Sequence, residues 1–308
     1  MQIEITEVSP RDGLQNEKQP VSTAQKIALI EGLVAAGVKR FEATSFVSPR
    51  AVPQMADAEQ VLAGVNVPDD VILQALVPNL RGAERAAQTR AQEWVCFMSA
   101  TEGHSQANSN CSTDTALERL KPVMALSQQT GKRAVAALAA SFGCPFEGVT
   151  PTDRVVQMAR ALRDIGFTEM KLGDTIGTAI PSQITEVVRA LRKDVPDMAL
   201  VLHLHDTRGL SLANVMAGMA EGVTRYESSL GGIGGCPFAP GATGNVATED
   251  LVHFLHAEGH ETGLDLNHLI AQGRWLSDVL GRDLPAKLFA ASPIGATIPN
   301  DPATRAVG

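Results

Sequence analysis

Residues 200–229 read LVLHLHDTRGLSLANVMAGMAEGVTRYESS. Leu200–His205 is an apolar run of strand length, Leu212–Ala220 has the periodicity of a helix, and Arg225–Ser229 is a second short strand. A strand, a helix and a strand in close succession form a βαβ unit, whose two strands must lie parallel. The same alternation extends upstream. Strands are expected at Ile3–Val8, Arg40–Ala43, Val71–Val77, Trp94–Met98, Ala134–Ala140 and Phe167–Leu172. Helices are expected at Thr23–Ala36, Met55–Leu62, Leu80–Ala87, Thr113–Gln128 (read as an unbroken helix), Thr152–Arg163 and Ile184–Leu191. Downstream, Thr248–Ala257 closes the series as the eighth helix. Eight strand–helix units favour a (β/α)8 TIM barrel. The alternative, an open doubly wound sheet, lacks its G-x-G-x-x-G turn after the first strand. A further helix, Asn267–Val279, and a proline- and alanine-rich tail from Leu284 form a C-terminal appendage. The expected division is 1–262 for the barrel and 263–308 for the helix and tail packed on it.

Composition narrows the function. The 308 residues are 44% hydrophobic and 19% charged, with a formal net charge of −8 and a sequence pI near 5.4. Such a chain has a core to bury and no basic footprint for nucleic acid or an anionic membrane. No run reaches the length of a transmembrane helix, and MQIEITEVSPRDG is not a signal region. Cys96, Cys111, Cys144 and Cys236 form no C-x-x-C pair, so a reduced, cytoplasmic protein is expected.

The polar residues with chemical potential gather beyond strand ends, where barrel enzymes place their sites. His203 and His205 are two apart in a strand, so both imidazoles point to one face. They are either satisfied core histidines or a pair of metal ligands. Ser9-Pro10-Arg11-Asp12-Gly13 follows the first strand and reads as a turn, or as a carboxylate that completes the metal site beside a permanent cation. Glu42, in an apolar strand, needs a salt bridge or a catalytic task. Lys171 shares a strand face with Glu169, and either Glu169 or Glu42 could neutralise it. Asp174 orients a ligand or caps the following helix, and Asp206 stands ready behind the histidines. Asn245 is a helix cap or a carboxamide ligand to a hard cation. Cys236, flanked by glycines and proline, is better placed to swing over a substrate than to fill a core. Cys144, in SFGCPFEG, is expected to have a supporting role at most.

Together these stretches resemble the 3-hydroxy-3-methylglutaryl-CoA (HMG-CoA) lyase family. The resemblance rests on EVSPRDGLQNEK, FEATSFVSP, NSNCS, GCPFEG, LGDTIG, HLHDT, GGIGGCPFAPGATGN and ATEDL, which span nearly the whole chain. It implies a TIM-barrel metallolyase that splits an acyl-CoA into acetyl-CoA and a keto acid. On that resemblance Asp12, His203, His205 and Asn245 hold Mg²⁺ or Mn²⁺. Arg11 stabilises the enolate, and Cys236 takes part in proton transfer. Asp12, His203, Glu42 and Asp174 belong to the catalytic set. The expected assembly is a homodimer.

Two departures bear on the substrate. Where the family usually has tyrosine and serine in the fifth strand, this chain has Ala137 and Ala139. Where it usually has serine in the sixth, this chain has Lys171. Ala137, Lys171 and Cys144 are therefore the expected specificity positions, and a larger or different 3-hydroxyacyl-CoA is an alternative substrate. Three rivals remain at this stage. They are a Claisen-type acyltransferase of the same superfamily, a biotin-dependent carboxyltransferase, and a degenerate barrel kept for binding.

Overall fold

The structure, a computed structural model, describes residues 1–235 and 244–291. Eight parallel strands close into a barrel in chain order: β1 (Glu4–Glu7), β2 (Arg40–Ser45), β3 (Ile72–Leu76), β4 (Glu93–Ser99), β5 (Arg133–Ala139), β6 (Glu169–Asp174), β7 (Ala199–Leu204) and β8 (Arg225–Ser228), which returns to pair with β1. Connecting them are α1 (Thr23–Ala35), α2 (Ala58–Gly64), α3 (Leu80–Ala87), α4 (Glu102–Ser109) and α5 (Thr113–Gln129), α6 (Thr152–Ile165), α7 (Pro181–Asp194) and α8 (Ser211–Ala220). α9 (Thr248–Ala257) completes the eighth unit, and α10 (Leu266–Leu280) packs against α1 and α9.

Local chemistry sets the boundaries. Ser22 starts α1 with a reciprocal cap: its hydroxyl accepts from the Gln25 amide while its own amide donates to the Gln25 side chain. α6 stops at Gly166, whose φ of 117° is strained for any side-chain-bearing residue. The apolar core lies between strands and helices and includes Phe41, Leu73 and Trp94 from the sheet with Leu29, Leu33 and Leu62 from the helices, all fully buried.

Three details depart from expectation. α5 runs through as one helix, but it is not free of an internal proline as expected: Pro122 lies inside it. The ring removes the donor that Glu118 would otherwise bond, a loss of about 3 kcal/mol in an isolated helix, and burial of Ala116, Leu120, Val123 and Met124 carries the helix through. α4 escaped the pattern reading because EGHSQANS has almost no apolar periodicity; the residues it buries are His104 and Ser105. A small antiparallel hairpin, Gly143–Cys144 with Gly148–Val149, follows β5.

The lumen is polar, unlike the branched apolar filling usual in such barrels. Six residues that each begin a strand form a ring of ion pairs at its N-terminal mouth. Glu4 pairs with Arg40, Arg40 with Glu93, Glu93 with Arg133, Arg133 with Glu169, Glu169 with Arg225, and Arg225 with Glu4 again. Above the ring, the Gln74 side-chain amide donates to Glu93 and its oxygen accepts from Lys171 at 2.8 Å. β3 and β6 are not neighbours, so this last contact crosses the lumen.

Candidate active site

The C-terminal mouth is built from the ends of β1, β2, β6, β7 and β8. After β1 the chain makes a π-helical turn, Ser9–Gly13, closed by Gly13 N to Val8 O and Leu14 N to Ser9 O at 3.1 and 3.0 Å. A β-carbon at Gly13 would stand 2.7 Å from Ile233 and 2.9 Å from the Ser229 hydroxyl, so glycine is what lets this turn lie against the segment after β8. The turn aims Arg11 and Asp12 into the mouth. Arg11 Nε donates to Glu42 Oε1 and its Nη1 to Asp12 Oδ1, both at 2.7 Å. Burial disfavours the Arg11 charge, yet Glu42 and Asp12 outweigh that and hold the guanidinium firmly cationic. For Asp12, burial pushes its pKa up, but Arg11 reverses this and leaves it below the ordinary carboxylate range.

β7 presents the two imidazoles. Their Nε2 atoms face each other at 3.2 Å, and Asp12 completes a group whose ligand atoms lie within 4.8 Å of one another. His203 Nδ1 meets Glu227 Oε2 at 2.9 Å, which directs its Nε2 toward His205. Burial alone would lower the pKa of both rings. Glu227 reverses this for His203, which is raised, while burial and the charge of His203 pull His205 down to about 4. Asn245 reaches the same point through an antiparallel bridge to His205. Its Nδ2 donates to Asp12 Oδ2 at 2.7 Å and to the Ile233 carbonyl, while its buried Oδ1 has no hydrogen-bond partner among the described residues. An orphaned amide oxygen beside a carboxylate and two converging imidazoles fits a divalent cation with mixed oxygen and nitrogen preference.

A family model described as HMGL-like matches residues 2–275. The chain belongs to the HMGL-like family. Relatives bear this out. The chain is 43% identical over 279 residues to the hydroxymethylglutaryl-CoA lyase of Pseudomonas mevalonii, covering 91% of this chain and 93% of that one. It is 42% identical to the 3-hydroxy-3-isohexenylglutaryl-CoA/hydroxy-methylglutaryl-CoA lyase of Pseudomonas aeruginosa, again covering 91% and 93%. It is also 42% identical to the (R)-citramalyl-CoA lyase of Chloroflexus aurantiacus, over 95% of each. The structure superposes on an HMG-CoA lyase from Acinetobacter baumannii in complex with coenzyme A and 3-methylmalate with a TM-score of 0.92, at 39% identity and covering 97% and 98%. Carboxyl transferase domains of Rhizobium etli pyruvate carboxylase share the fold alone, at 16–18% identity.

For this HMGL-like chain, the structure brings Arg11, Asp12, Glu42, His203, His205 and Asn245 to one place, and Lys171 lies beneath them. Lys171 meets Glu227, Glu42 at 3.5 Å and Gln74 at 2.8 Å. Asp174, at the end of β6, accepts from Thr178 N and Ala179 N in the turn that follows rather than capping α7, and burial pushes it up to about 6. Asp206 accepts from the Ser211 amide and hydroxyl at the start of α8 and pairs with Lys287. Ala137 pairs in register with Phe97 and Lys171, and both it and Phe97 are only half-buried. Cys144 lies apart, its buried thiol accepting from the Thr101 hydroxyl at 3.0 Å. Cys236 lies outside the described residues. Sequence reasoning missed Glu227 and Gln74. The available signal was a carboxylate in the strand Arg225–Ser228 at the position that pairs in register with His203.

Proposed function

We propose that this protein is a divalent-metal-dependent carbon–carbon lyase that cleaves a 3-hydroxy-3-methylglutaryl-CoA-type thioester into acetyl-CoA and a keto acid, acetoacetate for HMG-CoA itself. The observation that carries the reading is the convergence of Asp12, His203, His205 and the unpartnered Asn245 Oδ1 beside the buried cation of Arg11. These four residues would hold Mg²⁺ or Mn²⁺, which supplies Lewis acidity toward the substrate's tertiary hydroxyl and a counter-charge for its carboxylate.

The rest of the chemistry falls to the chain. Cleavage of the carbon–carbon bond takes a proton from the hydroxyl, forms a carbonyl, and leaves the bonding pair on the acetyl-CoA fragment as an enolate. Arg11, locked by Glu42 and Asp12, presents a fixed cation to that enolate oxygen, and a cation needing no rearrangement during the reaction is worth most in a dry site. Asp12 is the carboxylate assigned to receive the hydroxyl proton, and His203 and Asp174, the latter kept largely protonated below about pH 6, belong to the same catalytic set. Cys236 is assigned the return of a proton to the enolate carbon. We read residues 1–262 as the catalytic barrel and 263–308 as its appendage, with an acyl-CoA as partner, a homodimer as the assembly and the cytoplasm as the compartment. The buried free thiols of Cys96, Cys111 and Cys144 suit a reducing environment, and no helix among the described residues is long and apolar enough to cross a membrane.

A second reading concerns the acyl group. Ala137, half-buried and in register with Phe97, has only a methyl group there, which favours a bulkier or differently branched 3-hydroxyacyl-CoA. Relatives with isohexenylglutaryl-CoA and citramalyl-CoA in their names support variation there. Acetyl-CoA release with Mg²⁺ or Mn²⁺, measured on HMG-CoA, isohexenylglutaryl-CoA and citramalyl-CoA, tests both readings. Cleavage of HMG-CoA, abolished by Cys236→Ala, is the expected result. Faster turnover of HMG-CoA than of every analogue removes the second reading. No cleavage across the panel, with condensation of acetyl-CoA onto a keto acid instead, replaces the lyase by the acyltransferase.

A further inference from the structure

Lys171 is 3% exposed, in the middle of the lumen. An ammonium has three N–H donors and no acceptor, and three acceptors surround this one: Gln74 Oε1 at 2.8 Å, Glu42 Oε2 at 3.5 Å and Glu227 Oε1 in close contact. It donates a hydrogen bond to Gln74 and pairs with Glu227 and Glu42 as counter-ions, so its charge is answered within the protein. What it can do is fix its neighbours. Gln74 is itself held by Glu93 of the ring below, and Glu42 is held by Arg11. Two of the three acceptors are thus anchored from elsewhere. Glu227 is the exception, because among the described residues its one carboxylate contact apart from Lys171 is the imidazole of His203. We propose that Lys171 is a positioning residue: it pins Glu227 so that this carboxylate holds the Nδ1–H of His203, which keeps His203 Nε2 as a lone-pair donor aimed at the metal position.

The inference rests on the metal-site reading above and deepens it. A ligating histidine whose outer nitrogen is held by a carboxylate is fixed in tautomer and ring angle. Here that carboxylate is in turn held by a buried cation. Burial disfavours the lysine charge, but Glu227 and Glu42 more than restore it, so its pKa lies above the ordinary value and the cation is present throughout the neutral range. Without the lysine, Glu227 would be a buried charge facing only an imidazole, and such a group neutralises itself or turns away. His203 would then be free to carry its proton on either nitrogen.

The test uses the full chain as Lys171→Met, Glu227→Gln and the double variant, with thermal melts to establish folding. Mn²⁺ affinity is read by electron paramagnetic resonance, and the His203 tautomer by ¹⁵N shifts in the metal-free protein. Lys171→Met is expected to weaken Mn²⁺ binding about 10- to 100-fold and to shift His203 from a single Nδ1–H form to a mixture. On the Glu227→Gln background the same substitution should cost about threefold or less, because the group it acts through is already altered. That comparison keeps the idea falsifiable if Lys171→Met alone does not fold. Unchanged affinity and ¹⁵N shifts in folded Lys171→Met, or a full loss repeated on the Glu227→Gln background, overturns the proposal. A wild-type protein that binds no Mn²⁺ overturns the metal site itself.

Discussion

The same barrel holds two layers of buried and half-buried charge, and they are organised in opposite ways. At the N-terminal mouth three glutamates and three arginines alternate, each touching two of the opposite sign, and the chain of pairs closes on itself. At the C-terminal mouth Arg11 and Lys171 face Asp12, Glu42 and Glu227, two cations against three carboxylates, and the pairs end at a pair of imidazoles and an unpartnered amide oxygen. The closed layer leaves nothing for a ligand to do. The open layer has one negative charge too many, which raises the pKa of His203 and marks the place a divalent cation would fill. Buried ion pairs are common at structural and functional positions alike. Whether the set balances separates the two uses here.

If that distinction is right, damage to each layer should show in a different measurement. Glu93→Ala strips a partner from Arg40, Arg133 and Gln74 at once. Breaking a buried set in this way costs about 3–5 kcal/mol, read as a fall in Tm and in the urea midpoint, while kcat and Mn²⁺ affinity stay near wild type. A matching collapse in kcat would show that Gln74 transmits the ring to the site and that the two layers are one. Arg11→Gln is the converse. Glutamine keeps a donor toward Glu42, so stability should suffer less than in Glu93→Ala, whereas losing the cation opposite the enolate should lower kcat about 10²–10³-fold. An unchanged rate of acetyl-CoA release would remove Arg11 from the chemistry.

The barrel was legible because each βα unit repeats two periodicities that sequence carries openly, and the expected strands overlap all eight observed ones. The histidine pair was legible for a related reason: a spacing of two in a strand has one geometric meaning. Arg11 and Asp12 could be named as candidates, but whether SPRDG was a turn or a site depended on where the turn pointed, and its π-helical form is set by the packing of Gly13 against Ser229 and Ile233. Glu227 and Gln74 were not legible. A polar residue in an apolar strand says that it has a partner without saying which, and these partners lie on β7 and β6, 24 and 97 residues away in the chain. Lys171 shows half of this limit: of its two expected partners Glu42 does pair with it, whereas Glu169, on its own strand face, pairs with Arg133 and Arg225. The helix expected over Thr113–Gln128 forms even though Pro122, a local breaker not reckoned with, lies inside it, because burial overrides it.

A third buried group sharpens the comparison, because among the described residues its carboxylates have no cation paired to them. Glu7 accepts from the amides of Ser9 and Leu230, and Glu249 accepts from the amide of Gly231, so the two grip the turn that leads from β8 toward Asn245. With nothing positive to pair, burial dominates: both are raised, and Glu249 is pushed up to about 8 from 4.5, with the charge of Glu7 adding to the effect. The folded protein therefore holds a proton on Glu249 across a window in which the unfolded chain has lost it. More protons on the folded side means that stability falls as pH rises. The contribution is complete below about pH 4.5 and is lost as pH passes the folded value near 8. The slope is at most about 1.4 kcal/mol per pH unit. Glu249→Gln retains an acceptor for Gly231 and cannot ionise. Its urea-unfolding free energy should be flatter than wild type between pH 5.5 and 8 (roughly the middle of that window), with the variant gaining on the wild type as pH rises. Parallel pH profiles for the two proteins would mean that Glu249 is ionised when folded and that its neighbours supply a stabilisation as complete as the closed ring's.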